Sequence, residues 1–82
     1  MFASLTTAIL FLYKRGSIMA LIPVSSSSIR AVGYNGSTLA VLFWTSDTIY
    51  EHPRVPLSVF LGLMRAESMG RYYNSRIRGK YK

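Results

Sequence analysis

The stretch Thr38–Trp44 admits little except a β-strand. It is dense in β-branched and aromatic side chains, which lose rotamer freedom in a helix and fit the pleated surface of a sheet. Alternation puts Leu39, Val41 and Phe43 on one face and Ala40, Leu42 and Trp44 on the other. Both faces are apolar, so the strand belongs inside a sheet that is covered, at least in part, on both sides. Just before it, Asn35-Gly36 supplies residues that tolerate positive φ in a tight turn, and Ile29–Tyr34 reads as the other arm of a hairpin. Thr45-Ser46-Asp47 turns the chain again, and Thr48–His52 makes a shorter third strand. Connections this short favour an antiparallel meander.

Pro53 and Pro56 close the strand region, and Pro56 suits the first turn of a helix. Leu57–Ala66 has helical spacing, with Val59, Phe60, Leu63 and Met64 as the inward stripe. Gly62 lowers helix propensity but permits close packing on the sheet. Gly70 breaks or caps the path, and a shorter helical segment runs from about Arg71 to Ile77, where Tyr73 and Ile77 dock four residues apart. The expected fold is α+β: a three-stranded antiparallel β-meander packed by one helix and a shorter C-terminal helical segment. Leu39, Val41, Phe43, Phe60 and Leu63 are its expected core.

Residues 1–24 read as an extension to a domain spanning 25–82. Phe2–Tyr13 is an uncharged apolar run, too short to cross a bilayer as a helix. Its charges, Lys14 and Arg15, follow the apolar run, whereas a secretory signal places them before it. Charge in that position suits a short interfacial anchor. The favoured reading is that translation starts at Met19, since Lys-Arg-Gly can be encoded by a purine-rich stretch resembling a ribosome-binding site. Otherwise the extension is dispensable and poorly ordered.

The chemistry-bearing residues are few. With no cysteine, neither disulfides nor thiolate metal sites are possible, and burial must carry the fold. His52 is the only histidine, and Asp47, Glu51 and Glu67 are the only acids, whereas a hydrolytic metal centre needs three or four ligands. Asp47 and Glu51 have no second base or activated nucleophile beside them. There is no G-x-S-x-G, phosphate-cradling glycine loop or H-E-x-x-H. A non-enzyme without metal or cofactor is expected. Ten Lys and Arg against three acids leave a net charge of +7, which attracts nucleic acid, phosphorylated ligands, acidic proteins or anionic lipid. Charge of one sign also serves solubility alone.

The cations concentrate at the C-terminus. Arg71, Arg76, Arg78, Lys80 and Lys82 are interleaved with Tyr72, Tyr73 and Tyr81, with no acid among them. Cations neutralise phosphates and aromatic faces stack on unpaired bases. Arg71 and Arg78, seven residues apart, fall near one face of a helix and can straddle neighbouring phosphates. The plainer alternative makes Tyr73 and Ile77 core and leaves the cations as a solvated outer face. Arg71, Tyr72, Arg76, Arg78, Lys80 and Lys82 are therefore the candidate nucleic-acid or phosphate ligands, with Tyr50, His52 and Asn74 facing a ligand beside them. Tyr34, Tyr50, His52 and Trp44 can line a binding face, or simply pack under a helix. The Asn74 amide can read a base edge, or bond to nearby backbone and fix a turn. Leu57 and Leu61, one turn apart, make an apolar pair on an outer helix face, suited to a protein contact or self-association.

Together these residues resemble the KTSC family over roughly Ser27 to Tyr81. Ser28-Ile29 with Gly33-Tyr34 resembles its opening strand, Leu39, Val41 and Phe43 its second strand, and Val55-Pro56 with Val59-Phe60 its helix entry. The segment Ser68-Met69-Gly70-Arg71-Tyr72-Tyr73-Asn74, continuing to Ile77-Arg78, resembles the family's S-x-G-x-[YF]-[YF]-N-x-x-I-R element in order and spacing. The chain departs from the pattern at a central Y-x-Y, which here is Tyr50-Glu51-His52. Members occur as short bacterial and phage proteins and at the C-terminus of some lysyl-tRNA synthetases. The resemblance implies a small stand-alone cytoplasmic binding module of a bacterial cell or phage-infected host. RNA or single-stranded nucleic acid is the expected partner, without stable membrane insertion. A protein-interaction module that modulates a host protein and a small-nucleotide-sequestering protein are the alternatives.

Overall fold

A computed structural model describes the backbone of residues 9–12 and 18–81, and side chains from Ala20 to Tyr81. Five strands, β1 (Ile9–Leu12), β2 (Ile18–Pro23), β3 (Ile29–Tyr34), β4 (Leu39–Phe43) and β5 (Ile49–His52), form one antiparallel sheet in sequence order. Two helices follow, α1 (Leu57–Arg65) and the short α2 (Met69–Tyr72), which runs directly into a π-helical turn, Tyr73–Ile77. The α+β class holds, but the domain carries a four-stranded meander, β2–β5, where three strands were expected, with β1 beyond it. β2 pairs with β3 through Ile22 opposite Val32 and Pro23 opposite Ala31, and β1 pairs with β2 along its length. The run Ile18–Ile22 is apolar at every position, so it shows no period-two alternation, yet Leu21 is fully buried. Most of Phe2–Tyr13 and the Lys14-Arg15 flank lie outside the described residues.

The hairpins form as their turn chemistry dictates. Gly36 adopts φ +96°, and the Asn35 side-chain oxygen accepts hydrogen bonds from the backbone N–H of Ser37 (3.0 Å) and Thr38 (2.8 Å). β3 carries a bulge at Arg30: Ile29 faces Phe43 and Ala31 faces Leu42, so two residues on β3 span one step of β4. The extra residue sends Ile29 and Ala31 to opposite faces of the sheet. Ile29, with Val32, Leu39 and Val41, packs against Val55, Leu63, Met69, Tyr73 and Ile77 in the main core. Ala31 joins Leu21, Ala40 and Leu42 in a smaller cluster on the other face. Both faces of β4 are thus buried, as its composition requires.

The packing departs from expectation in four places. In α1 only Leu63 is fully buried; Val59 and Phe60 pack against the core, and Met64 is 40% exposed. Phe43, at the end of β4, also packs against the core from its margin. Gly70 does not end a helix but sits inside α2, which begins at Met69 with the Ser68 hydroxyl accepting from the Arg71 N–H at 3.3 Å. A Cβ at Gly70 would stand 2.7 Å from Ser28 Oγ, so the missing side chain lets α2 approach the β2–β3 loop. Gly62 does permit close packing, though against α2: a Cβ there would collide with the phenol of Tyr72.

Candidate ligand-binding cleft

The expected C-terminal helix is interrupted where the strongest motif lies. The N–H of Arg78 donates to the carbonyl of Tyr73 at 2.8 Å, five residues back, which closes the π turn. Such turns hold more residues than an α-turn and recur at functional sites. The wider turn breaks the seven-residue return expected for Arg71 and Arg78. Arg78 swings into a cleft beside the β5 edge, and Arg71 does not line it.

That cleft, of about 360 Å³, is lined by Phe43, Thr45, Ser46, Tyr50, His52, Tyr73, Asn74 and Arg78. β5 presents Tyr50 and His52 toward the helical layer because they oppose Val41 and Leu39, which face the main core. Phe43 anchors the aromatic wall, meeting the Tyr50 ring edge-on at 5.8 Å and the Tyr73 ring edge-on at 5.0 Å. Tyr50 keeps 43% of its surface open. The Asn74 side chain is exposed on the rim, and its amide takes part in no hydrogen bond among the described residues, so it does not fix the turn through a side-chain bond.

His52 is 8% exposed, and both ring nitrogens are engaged: Nδ1 lies 2.7 Å from the Tyr81 carbonyl oxygen and Nε2 2.8 Å from the Tyr73 hydroxyl. A carbonyl oxygen can only accept, so Nδ1 carries the proton in the neutral ring and Nε2 accepts from Tyr73. The Tyr73 oxygen therefore turns only lone pairs toward the cleft. Burial raises the pKa of Tyr73, the Arg78 guanidinium lowers it, and Tyr50 raises it further. Arg78 is the one full positive charge on the lining.

Of the residues singled out from the sequence, the fold brings Tyr50, His52, Asn74 and Arg78 together. It sends the others elsewhere. Tyr72 is occupied in helix packing: its hydroxyl donates to the Val59 carbonyl at 3.0 Å, and the Arg76 guanidinium lies 5.6 Å from its ring centroid. Arg71 and Lys80 are exposed away from the lining, and Lys82 lies outside the described residues. Tyr34 stacks on Phe60 at 4.5 Å and donates to the Val55 carbonyl at 2.6 Å, under α1. Tyr73, read as core from its spacing, is both core and cleft wall, and Thr45 and Ser46 of the β4–β5 turn were not anticipated. The pairing of Tyr73 with Asn74 in the strongest motif was the available signal for the first; an ordinary turn composition gave none for the second.

Known proteins resemble this chain in sequence and fold. A family model described as the KTSC domain matches residues 25–81. A protein of Tsukamurella paurometabola is 36% identical over 61 residues, covering 73% of this chain and 91% of that protein. The crystal structure of a KTSC domain protein from Yersinia pestis superposes with a TM-score of 0.72 at 33% identity, covering 78% of this chain and 92% of that one.

Proposed function

The chain belongs to the KTSC domain family, and from that premise we propose that it is a non-catalytic binding module whose cleft takes RNA or another phosphate-bearing ligand. The observation that carries the reading is the convergence of Arg78, Asn74 and Tyr50 on one cleft, a guanidinium, an unengaged amide and a half-open aromatic ring from three separate positions in the chain. These supply a phosphate contact, a base-edge contact and a stacking face. His52 speaks against acid–base catalysis, because both its nitrogens are committed to protein partners. The net charge of +7 adds long-range attraction for a polyanion. Arg71, Arg76, Lys80 and Lys82 act through that field. A kinship with the form appended to lysyl-tRNA synthetases, and a cytoplasmic site of action, belong to the same proposal.

The test is binding of single-stranded RNA by the full chain as salt is varied. Affinity should fall with a slope of about −0.7 in log–log form for each phosphate neutralised. Arg78→Ala should weaken binding and flatten the slope by about that amount, and Asn74→Ala should weaken it without changing the slope. Absence of binding to RNA and single-stranded DNA at low salt, where this attraction is greatest, defeats the reading. Two other readings rest on observations of their own. The cleft's volume suits one nucleotide, the case for a nucleotide-sequestering protein. Leu57, 57% exposed on α1, favours a host-protein contact that Leu57→Asp would abolish.

A further inference from the structure

The bulge in β3 falls at Arg30, whose side chain lies over Trp44, the residue that follows the last position of β4. Bulges re-aim a side chain that regular pairing would have directed elsewhere. Here the Arg30 guanidinium carbon lies 5.4 Å from the centroid of the indole ring. A second tie comes from the β2–β3 loop: the Trp44 Nε1–H donates to the Ser26 carbonyl at 3.0 Å. The backbone is pinned as well, with the Trp44 N–H donating to the Ser28 carbonyl at 3.1 Å. An indole held at its ring nitrogen, beside a cation and on a backbone tied to Ser28 has lost most of its freedom before anything binds. It nevertheless leaves 56% of its surface open, more than any other large apolar side chain among the described residues except Leu57.

Trp44 also stands next to the cleft along the chain. Thr45 and Ser46, the two residues after it, line the cleft, and consecutive Cα atoms are about 3.8 Å apart. A strand of nucleic acid leaving the cleft over the β4–β5 turn meets Trp44 within a nucleotide or two. We propose that Trp44 and Arg30 form a second stacking station on a track for single-stranded nucleic acid, which begins in the cleft and crosses the β4–β5 turn. This rests on the cleft reading and narrows it, since a ligand that spans both stations must be an oligonucleotide. An aromatic face is sequence-tolerant because every base has a π-face, and the guanidinium beside it serves the adjoining phosphate. The charge of the chain is complementary to that of the strand.

Trp44 is the only tryptophan among the 82 residues, so emission excited at the red edge, where the six tyrosines do not absorb, reports on this station. The full chain is titrated with fluorescein-labelled oligouridylate, followed by anisotropy, and with unlabelled oligouridylate and uridine monophosphate, followed by tryptophan emission. The oligonucleotide is expected to quench Trp44, while the monophosphate, held in the cleft, leaves emission unchanged. Trp44→Leu should weaken oligonucleotide binding about tenfold, the usual range for one lost stack, and Trp44→Phe should restore most of it. Arg30→Gln, which keeps the reporter, should also weaken binding and covers the case in which Trp44→Leu fails to fold. Oligonucleotide binding with unchanged emission and undiminished affinity in Arg30→Gln overturns the second station while leaving the cleft standing. Binding that survives Arg78→Ala but not Arg30→Gln overturns the track that joins the two, and with it the cleft reading.

Discussion

The hydroxyl of Tyr73 donates to Nε2 of His52 across 2.8 Å, joining the π turn to the edge strand of the sheet. With the Nδ1 bond to the Tyr81 carbonyl, the single histidine ties β5 to two points of the C-terminal segment. Tyr73→Phe deletes one partner and leaves a largely buried Nε2 acceptor unsatisfied, which costs about 1–3 kcal/mol. Urea denaturation should show this as a lower midpoint with an unchanged slope. An unchanged midpoint would mean that water replaces the phenol freely and that the bond contributes little to holding the C-terminus.

The same phenol sets an alkaline limit. Its pKa is raised above the ordinary tyrosine value of about 10, chiefly by burial. The folded protein thus holds the proton more tightly than the unfolded chain. The resulting stability is fully present below pH of about 10 and disappears as pH climbs through the raised value. Melting temperature should therefore fall with pH above that point, and Tyr73→Phe should fall less steeply. Arg78→Ala removes the influence that lowers this pKa, so ultraviolet titration should find the buried phenol ionising at still higher pH.

Helix propensity and packing make opposite predictions for Gly62→Ala. Propensity favours the alanine by about 1 kcal/mol. The new Cβ would collide with the Tyr72 phenol, whose hydroxyl is held by the Val59 carbonyl, and overpacking of this kind costs about 1–3 kcal/mol. Net destabilisation is expected, largely reversed in the Gly62→Ala, Tyr72→Leu double change. Thermal melts of the four members of that cycle decide it, and a stabilising single change would show that α2 can shift away from α1.

Two truncations separate the contributions of the first two strands. A chain starting at Met19 loses β1 but keeps Leu21 and the pairing of β2 with β3, and it is expected to melt close to the full chain. A chain starting at Ser25 loses Leu21, which is fully buried against Ala31, Ala40 and Leu42. Loss of one such side chain costs about 2–5 kcal/mol, a large share of the stability of a domain this size. Circular dichroism should show that second chain largely unfolded. Equal stability for the two would demonstrate that the small cluster is dispensable.

The parts legible in the sequence were those written in local chemistry. A density of β-branched and aromatic residues between two turns marked β4, Asn35-Gly36 marked the hairpin, and the two prolines marked the entry to α1. β2 was missed because Ile18–Ile22 was read with the apolar extension before it, and only its place in the sheet shows which of its residues are covered. The bulge at Arg30 was equally hidden, since it arises from register between two strands and not from either alone. The candidate site was half legible. Tyr50, His52, Asn74 and Arg78 were named but scattered among residues that the fold assigns to packing or to the open surface. What separates the two sets is the π turn, for which helix periodicity supplied the wrong face.

That turn also means that the cleft is encoded in spacing as much as in residue identity. Between Tyr73 and Arg78 the chain takes five steps to close one hydrogen-bonded ring. Deleting the exposed Ser75 would leave every lining side chain in the protein and favour an ordinary α-turn, which would rotate Arg78 away from Tyr50 and His52. A comparison that scores identities column by column would rate such a chain as almost unchanged, though its cleft would be dismantled. Among relatives of this domain, a one-residue gap between the paired aromatics and the following arginine would therefore mark a reshaped cleft more reliably than a substitution at any single lining position.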